Sequence, residues 1–175
     1  MGVKFFVAGL YVDYKREKII LQSLIITENT LTVHLYRTWE NLDFDAMIKT
    51  VSSCCVLKKL KRIYYDKYAL SSKVCEKLDD RFRLIAMNHD TRCKMVETVK
   101  FWVPVISCRR DLPFYDQRIF LYPCKNSQGE ITCYPISDIF TGNVEAFCLA
   151  IYGSRKTIAK YTKKLKQIPA TACFS

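Results

Sequence analysis

The stretch VKFFVAGLYVDYKREKIILQSLIITENTLTVHLYR, residues 3–37, decides the fold. It contains three runs rich in Ile, Val, Leu, Phe and Tyr, at residues 3–14, 18–27 and 31–37, and short polar segments separate them. β-branched and aromatic residues favour strands, whereas short polar segments between such runs favour turns. The stretch therefore predicts three consecutive strands of one sheet.

A helix is predicted directly after these strands. Asp43 is a suitable N-cap, and the apolar residues that follow it recur at helical spacing, namely Phe44, Met47, Ile48, Val51 and Cys55. An apolar stripe of this kind has to pack against the sheet. We therefore interpret this helix as structural.

The rest of the chain alternates between strand and helix patterns. We predict a helix at 70–79, strands at 82–87, 95–106, 118–123, 130–136 and 145–152, and a last helix at 155–167 that Ser154 caps. These elements predict an α+β fold: one mostly antiparallel β-sheet with helices packed against it and a basic C-terminal helix. No repeat or boundary divides the chain, so we expect a single domain over residues 1–175.

Charge and cysteine content limit the possible functions. The chain has 28 Lys and Arg against 17 Asp and Glu, a formal net charge of +11, which favours a polyanionic partner such as nucleic acid or an anionic membrane. Nine cysteines lie mostly in apolar segments without a C-x-x-C pair, and no signal peptide precedes them. Reduced, buried thiols in the cytosol or nucleus fit this pattern.

Catalytic patterns are sparse. Neither histidine has a metal-binding partner at the usual spacing, so no metal site and no cofactor are predicted. Tyr152 lies four residues before Lys156, and His34 lies upstream. Viral cyclic-dinucleotide nucleases of the poxin type use a similar His, Tyr and Lys set, so a metal-free phosphodiesterase is one alternative.

Two basic segments give the stronger signal. LKKLKRIYYDKY, residues 57–68, mixes cations with tyrosines that could stack on bases, and the helix at 155–167 has cations opposite its apolar face. We predict that they bind nucleic acid or membrane through Lys58, Lys59, Lys61, Arg62, Arg155, Lys156, Lys160, Lys163, Lys164 and Lys166.

Three stretches carry a family resemblance: TLTVHLYRT leading into DFDAMIKTV, then KRIYYDKYAL, then GNVEAFCLAIYGS. In this order they resemble the matrix proteins of negative-strand RNA viruses, most closely the rhabdovirus type of plant-virus size. The resemblance implies a non-enzymatic structural protein that self-associates and bridges viral nucleoprotein or RNA to an anionic membrane. It also implies a place in the host cytoplasm, peripheral to membranes, or in the virion. A nucleic-acid-binding viral accessory protein that suppresses host defence is the other non-enzymatic alternative.

Overall fold

The computed structural model describes residues 4–13, 16–28, 30–40, 44–57, 59–102, 106–107, 124–125, 128, 131–132 and 141–161. The strands are β1 (Phe5–Asp13), β2 (Lys18–Ile26), β3 (Leu31–Glu40), β4 (Arg62–Asp66), β5 (Phe82–Ile85), β6 (Ile106–Ser107), β7 (Cys124–Lys125) and β8 (Ile131–Thr132). The α-helices are α1 (Phe44–Leu57), α2 (Ser72–Cys75), α3 (His89–Trp102) and α4 (Thr141–Tyr161), and a 3₁₀ turn spans Lys67–Ala69.

The predicted α+β class is confirmed, and so are the three opening strands. β1 pairs antiparallel with β2 from Phe5 opposite Ile26 to Asp13 opposite Lys18, and β2 pairs antiparallel with β3. The predicted helix after them is α1, in which Ile48 and Val51 are buried. Its predicted cap, Asp43, lies outside the described residues.

The main sheet is mixed, so the prediction of a mostly antiparallel sheet is wrong in that detail. Its strand order is β5-β4-β1-β2-β3-β6, and β4 lies parallel to both β1 and β5 while β6 lies parallel to β3. The chain reaches β4 only after α1, and a crossover through a helix brings the next strand back in the parallel direction. The carboxyl ends of β1 and β4 therefore meet at one edge.

Each face of the sheet has its own apolar cluster. Ala8 and Leu10 of β1 pack with Ile48 and Val51 of α1. The alternate β1 residue, Val7, belongs to the opposite cluster, which also contains residues of α3 and α4 such as Val99, Phe147 and Ile151. Side chains alternate between the faces of a strand, so α1 lies on one face of the sheet, and α3 and α4 lie on the other.

Two predicted strands are helices. The strand predicted at 95–106 lies mostly in α3, and the strand predicted at 145–152 lies inside α4. Every residue from Val144 to Ile151 is buried, and a short run that is apolar on all sides has no periodicity with which to separate a buried helix from a buried strand.

Ser154 lies inside α4 and does not cap a new helix. Its hydroxyl donates back to the carbonyl oxygen of Ala150, one turn earlier. The predicted helix at 70–79 is limited to the single turn of α2. Of the strand predicted at 130–136, Ile131–Thr132 form β8, and its other residues lie outside the described residues. The strand predicted at 118–123 and residues 162–167 of the last helix lie outside the described residues.

Gly9 lets α4 lie directly on β1. A Cβ atom at this position would be 1.7 Å from the carbonyl oxygen of Ala146 and 2.8 Å from the backbone nitrogen of Ala150. Backbone atoms of a packed helix cannot move aside cheaply. The absence of a side chain at residue 9 therefore sets the distance between helix and strand.

We expect Gly9→Ala to destabilise the protein by at least about 1–3 kcal/mol, the usual cost of forcing extra volume into a packed core. Urea unfolding followed by circular dichroism would measure the free energy of unfolding. A loss below about 0.5 kcal/mol, the range of neutral surface changes, would mean that α4 does not lie on Gly9.

Candidate active site

Two carboxylates lie at the edge where β1 and β4 end. Asp66 is the last residue of β4, and the parallel register pairs Leu10 with Tyr65 just before it. The carboxylate of Asp66 caps the following 3₁₀ turn, since its Oδ1 accepts a hydrogen bond of 3.0 Å from the backbone N–H of Tyr68. In open sheets with helices on their faces, ligands bind at the carboxyl ends of parallel strands.

Glu145, in α4, supplies the second carboxylate. Among the described residues it is the one charged residue that is buried, at 8% exposure, and Gly9 lets this part of the helix lie against the sheet. Burial raises the pKa of Glu145, the charge of Arg92 opposes that shift, and the charge of Asp66 adds to it. A carboxylate in this position gains stability from any cation that approaches it.

Arg92 of α3 is the cation already present. Its Nη2 lies 3.5 Å from Oε1 of Glu145, so the ion pair is long for a charge-assisted hydrogen bond. The Arg92 side chain is 32% exposed, whereas that of Glu145 is 9% exposed. The guanidinium therefore has access to solvent and to a ligand.

These groups line one cavity of about 400 Å³, bordered by Leu10, Tyr11, Val12, Asp66, Tyr68, Ala69, Arg92, Glu145 and Leu149. Burial raises the pKa of Tyr11, and the negative charges of Asp13 and Glu145 raise it further. The Tyr11 phenol therefore stays protonated at neutral pH and can donate a hydrogen bond. Tyr68 stands beside the carboxylates at 69% exposure.

The metal-binding capacity of this cavity is limited to the carboxylate pair. Within the ranges that the structure describes, no group of three or more His, Cys, Asp and Glu residues lies close enough to hold a metal ion. The cavity is lined by two carboxylates, those of Asp66 and Glu145, and by one guanidinium, that of Arg92.

The described residues that were predicted to bind polyanions do not line this cavity. Arg62 and Arg155 both lie close enough to Tyr64 for their charges to lower its pKa, while Lys59, Lys61, Lys156 and Lys160 are exposed. The remaining predicted cations, Lys58, Lys163, Lys164 and Lys166, lie outside the described residues.

The alternative site of His34, Tyr152 and Lys156 does not form. His34 packs edge-on against Phe6 with 5.9 Å between ring centroids, and Phe6 belongs to the face covered by α1. Tyr152 packs on the opposite face with α3 and α4. The sheet separates the histidine from the tyrosine, so the prediction of a poxin-type phosphodiesterase is wrong.

The carboxylate pair and Arg92 were missed at the sequence level. Asp66 lies inside a segment that was interpreted as basic and aromatic, and Glu145 opens the apolar run EAFCLAIY. A single carboxylate in an otherwise buried run is the signal that could have identified Glu145, because burying it is costly without a partner. Arg92 carries no comparable signal.

The predicted compartment and the predicted membrane binding stay predictions. Cys75 and Cys148 are free thiols, in line with reduced cysteines, and burial raises the pKa of the Cys148 thiol. In the part of the chain that the structure describes, no helix has the length and apolar character to cross a membrane.

Comparison with solved structures identifies the fold. The nuclease domain of the large terminase of Thermus phage P74-26 superposes with a TM-score of 0.67 at 6% identity, covering 84% of this chain and 78% of that one. The large terminase nuclease of phage G20c with bound magnesium gives 0.64 at 8% identity, covering 86% and 81%. The corresponding domain of bacteriophage SPP1 with bound Mn gives 0.57 at 12% identity, covering 87% and 86%. No family model and no curated protein matches the sequence.

The predicted matrix protein is therefore wrong, because the structural neighbours are nuclease domains. The predicted non-enzymatic assembly role is overturned by the same neighbours, and so is the resemblance that suggested both. The short stretches behind that resemblance are a strand, a helix and an apolar run, which many α+β proteins share. The chain has the RNase H-like fold of the phage large terminase nuclease domains.

Proposed function

We propose that this protein is a metal-dependent nuclease that cleaves nucleic acid at the cavity between β4 and α4. One observation carries the proposal: Asp66 and Glu145, from elements far apart in sequence, line one cavity at the carboxyl ends of two parallel strands. The similarity to nuclease domains supports it, as does the net charge of +11, which suits a polyanionic substrate.

The carboxylate pair fits one divalent cation of the magnesium type. Mg²⁺ prefers oxygen ligands, keeps several of its waters, and is commonly bound by one or two carboxylates together with substrate phosphates. Asp66 and Glu145 supply those two carboxylates, and the substrate would supply the phosphate oxygen. The buried Glu145, whose pKa is raised by burial and by Asp66, gains most from a nearby cation.

A cation held there would stabilise negative charge on a phosphoryl oxygen and lower the pKa of a bound water. The protein's own residues do the positioning. Arg92 can turn its partly exposed guanidinium from Glu145 towards a phosphate, which it can bind through two parallel hydrogen bonds. Tyr11 can donate its phenolic hydrogen to a phosphate oxygen, since its raised pKa keeps the hydroxyl protonated.

The purified protein should cleave DNA or RNA, in single- or double-stranded form, with Mg²⁺ or Mn²⁺ and should lose that activity in excess EDTA. Cleavage should rise with pH, because Glu145 must lose its proton to bind the cation and its pKa lies above the usual range. Gel analysis of end-labelled substrates would measure this. Equal cleavage with and without EDTA, or no cleavage of any of these substrates with either metal, would overturn the proposal.

A further inference from the structure

Three arginines from three different elements surround Tyr64, on the face of the sheet that carries α3 and α4. The parallel register pairs Tyr64 with Arg83 of β5, and Arg62 is two residues before Tyr64 on the same face of β4. A Cβ atom on Gly153 would be 2.2 Å from Cγ of Tyr64, so α4 touches the Tyr64 ring two residues before Arg155. All three arginines lower the pKa of Tyr64, against the larger effect of burial, which raises it.

The three guanidiniums have no acidic partner within the described ranges. The ion pairs found there involve other cations. Arg62, Arg83 and Arg155 each donate instead to a nearby backbone carbonyl oxygen, that of Lys61 at 3.2 Å, Phe82 at 2.9 Å and Tyr152 at 2.7 Å. A guanidinium has five N–H donors, so most of them stay available to a ligand.

Local contacts hold this cluster in place before any ligand binds. The guanidinium carbon of Arg155 lies 4.1 Å from the centroid of the Tyr152 ring, a cation–π contact. Arg62 and Arg83 extend from neighbouring strands of a hydrogen-bonded sheet. Three like charges on a rigid support repel one another, and an anion placed among them would relieve that repulsion.

The cluster continues the candidate active site along one strand. Arg62, Tyr64 and Asp66 alternate with buried residues of β4, so all three point to the same face. At about 3.3 Å per residue, Arg62 and Asp66 are about 13 Å apart along the strand. A ligand that reaches both has to be an extended polyanion, because a single phosphate is too small.

We propose that Arg62, Arg83 and Arg155 bind the phosphodiester backbone of the nucleic acid and direct it along β4 towards Asp66 and Glu145. Arginine suits this role because its planar fork matches two phosphate oxygens. The choice of nucleic acid as the polyanion rests on the proposed function. Arg62 and Arg155 were among the cations predicted to bind from the sequence, and the fold adds Arg83.

The test measures binding without cleavage, by fluorescence anisotropy of labelled DNA and RNA in EDTA at several salt concentrations. The variant replaces Arg62, Arg83 and Arg155 with Ala. The control replaces Lys49, Lys73 and Lys77 with Ala, which removes the same charge from exposed positions in α1, in α2 and just after α2. Thermal unfolding of each variant verifies the fold.

The arginine variant should bind at least about tenfold more weakly. The slope of log Kd against log salt should decrease in magnitude by about two to three, because binding without the three phosphate contacts releases fewer counterions. In the lysine control, the loss of affinity and the change in the salt slope should each be at most about half of those in the arginine variant. If the triple arginine variant does not fold, single replacements should each flatten the slope by about one.

Equal losses in both variants would show a general charge effect and overturn the proposed site, as would unchanged binding in the arginine variant. Sedimentation with anionic vesicles provides the second probe, and an arginine variant that loses binding to the vesicles but not to nucleic acid would also overturn the proposed site. Failure of the proposed function is recognised separately. A wild-type protein that never cleaves, but whose binding depends on the three arginines, would disprove the nuclease and keep this site.

Discussion

Asp66→Asn and Glu145→Gln should each lower the rate of metal-dependent cleavage by at least about 100-fold. A metal ion contributes several kcal/mol to stabilising the transition state, and about 1.4 kcal/mol corresponds to each factor of ten in rate. Each replacement keeps the size of the side chain and removes one of the two carboxylates that line the cavity. The comparison of initial rates with the wild-type protein at saturating Mg²⁺ would measure the loss.

The same variants should keep their fold, which separates a catalytic role from a structural one. Since burial holds the pKa of Glu145 above its unfolded value, the folded state binds more protons between the two values, and stability falls as pH rises through that window. Above that window the ionised Glu145 is a cost to stability, and Glu145→Gln should leave the free energy of unfolding unchanged or raise it.

Asp45→Asn is the matched control. Asp45 is an exposed carboxylate of α1, on the opposite face of the sheet, and it pairs with Lys77 at 2.9 Å. Its loss should change the cleavage rate by less than about twofold, since exposed ion pairs contribute little. Cleavage that survives in both cavity variants would exclude Asp66 and Glu145 as metal ligands.

The sequence predicts those parts of the fold that local patterns determine. β1, β2 and β3 follow one another through short polar turns, so each strand is recognisable from its own residues. The position of β4 beside β1 depends on where the chain re-enters the sheet after α1, and nothing within RIYYD indicates a parallel neighbour. The mixed sheet could therefore not be predicted from local sequence patterns.

The candidate site was harder to predict for the same reason. Asp66, Arg92 and Glu145 come from β4, α3 and α4, and the packing of both helices on one face of the sheet brings them to one cavity. Because α3 was interpreted in part as a strand and α4 as a strand followed by a helix, no arrangement of the predicted elements could place them together. The positive charge was a valid indication of a polyanionic partner, but it does not distinguish a nuclease from a matrix protein.

Arg155→Pro gives the largest expected effect on stability and tests the continuity of α4. If a helix began at this point, with Ser154 as its cap, Arg155 would be the first helical residue, where proline is favoured. In the structure Arg155 lies within the helix Thr141–Tyr161, so proline would remove the hydrogen bond to Ile151 and clash with the preceding turn. The expected loss is about 3 kcal/mol or more in the free energy of unfolding.

Arg155→Ala separates the backbone effect from the loss of the side chain. It removes the cation–π contact with Tyr152 and the hydrogen bond to the Tyr152 carbonyl, but alanine is the best helix former, so the net change should stay within about 1 kcal/mol. Urea unfolding of both variants gives the comparison. A proline variant as stable as the alanine variant would place a helix start at residue 155 and break α4 in two. In that case Gly153 would no longer be held against Tyr64 by a continuous helix, and the arginine cluster would lose the element that brings Arg155 to β4.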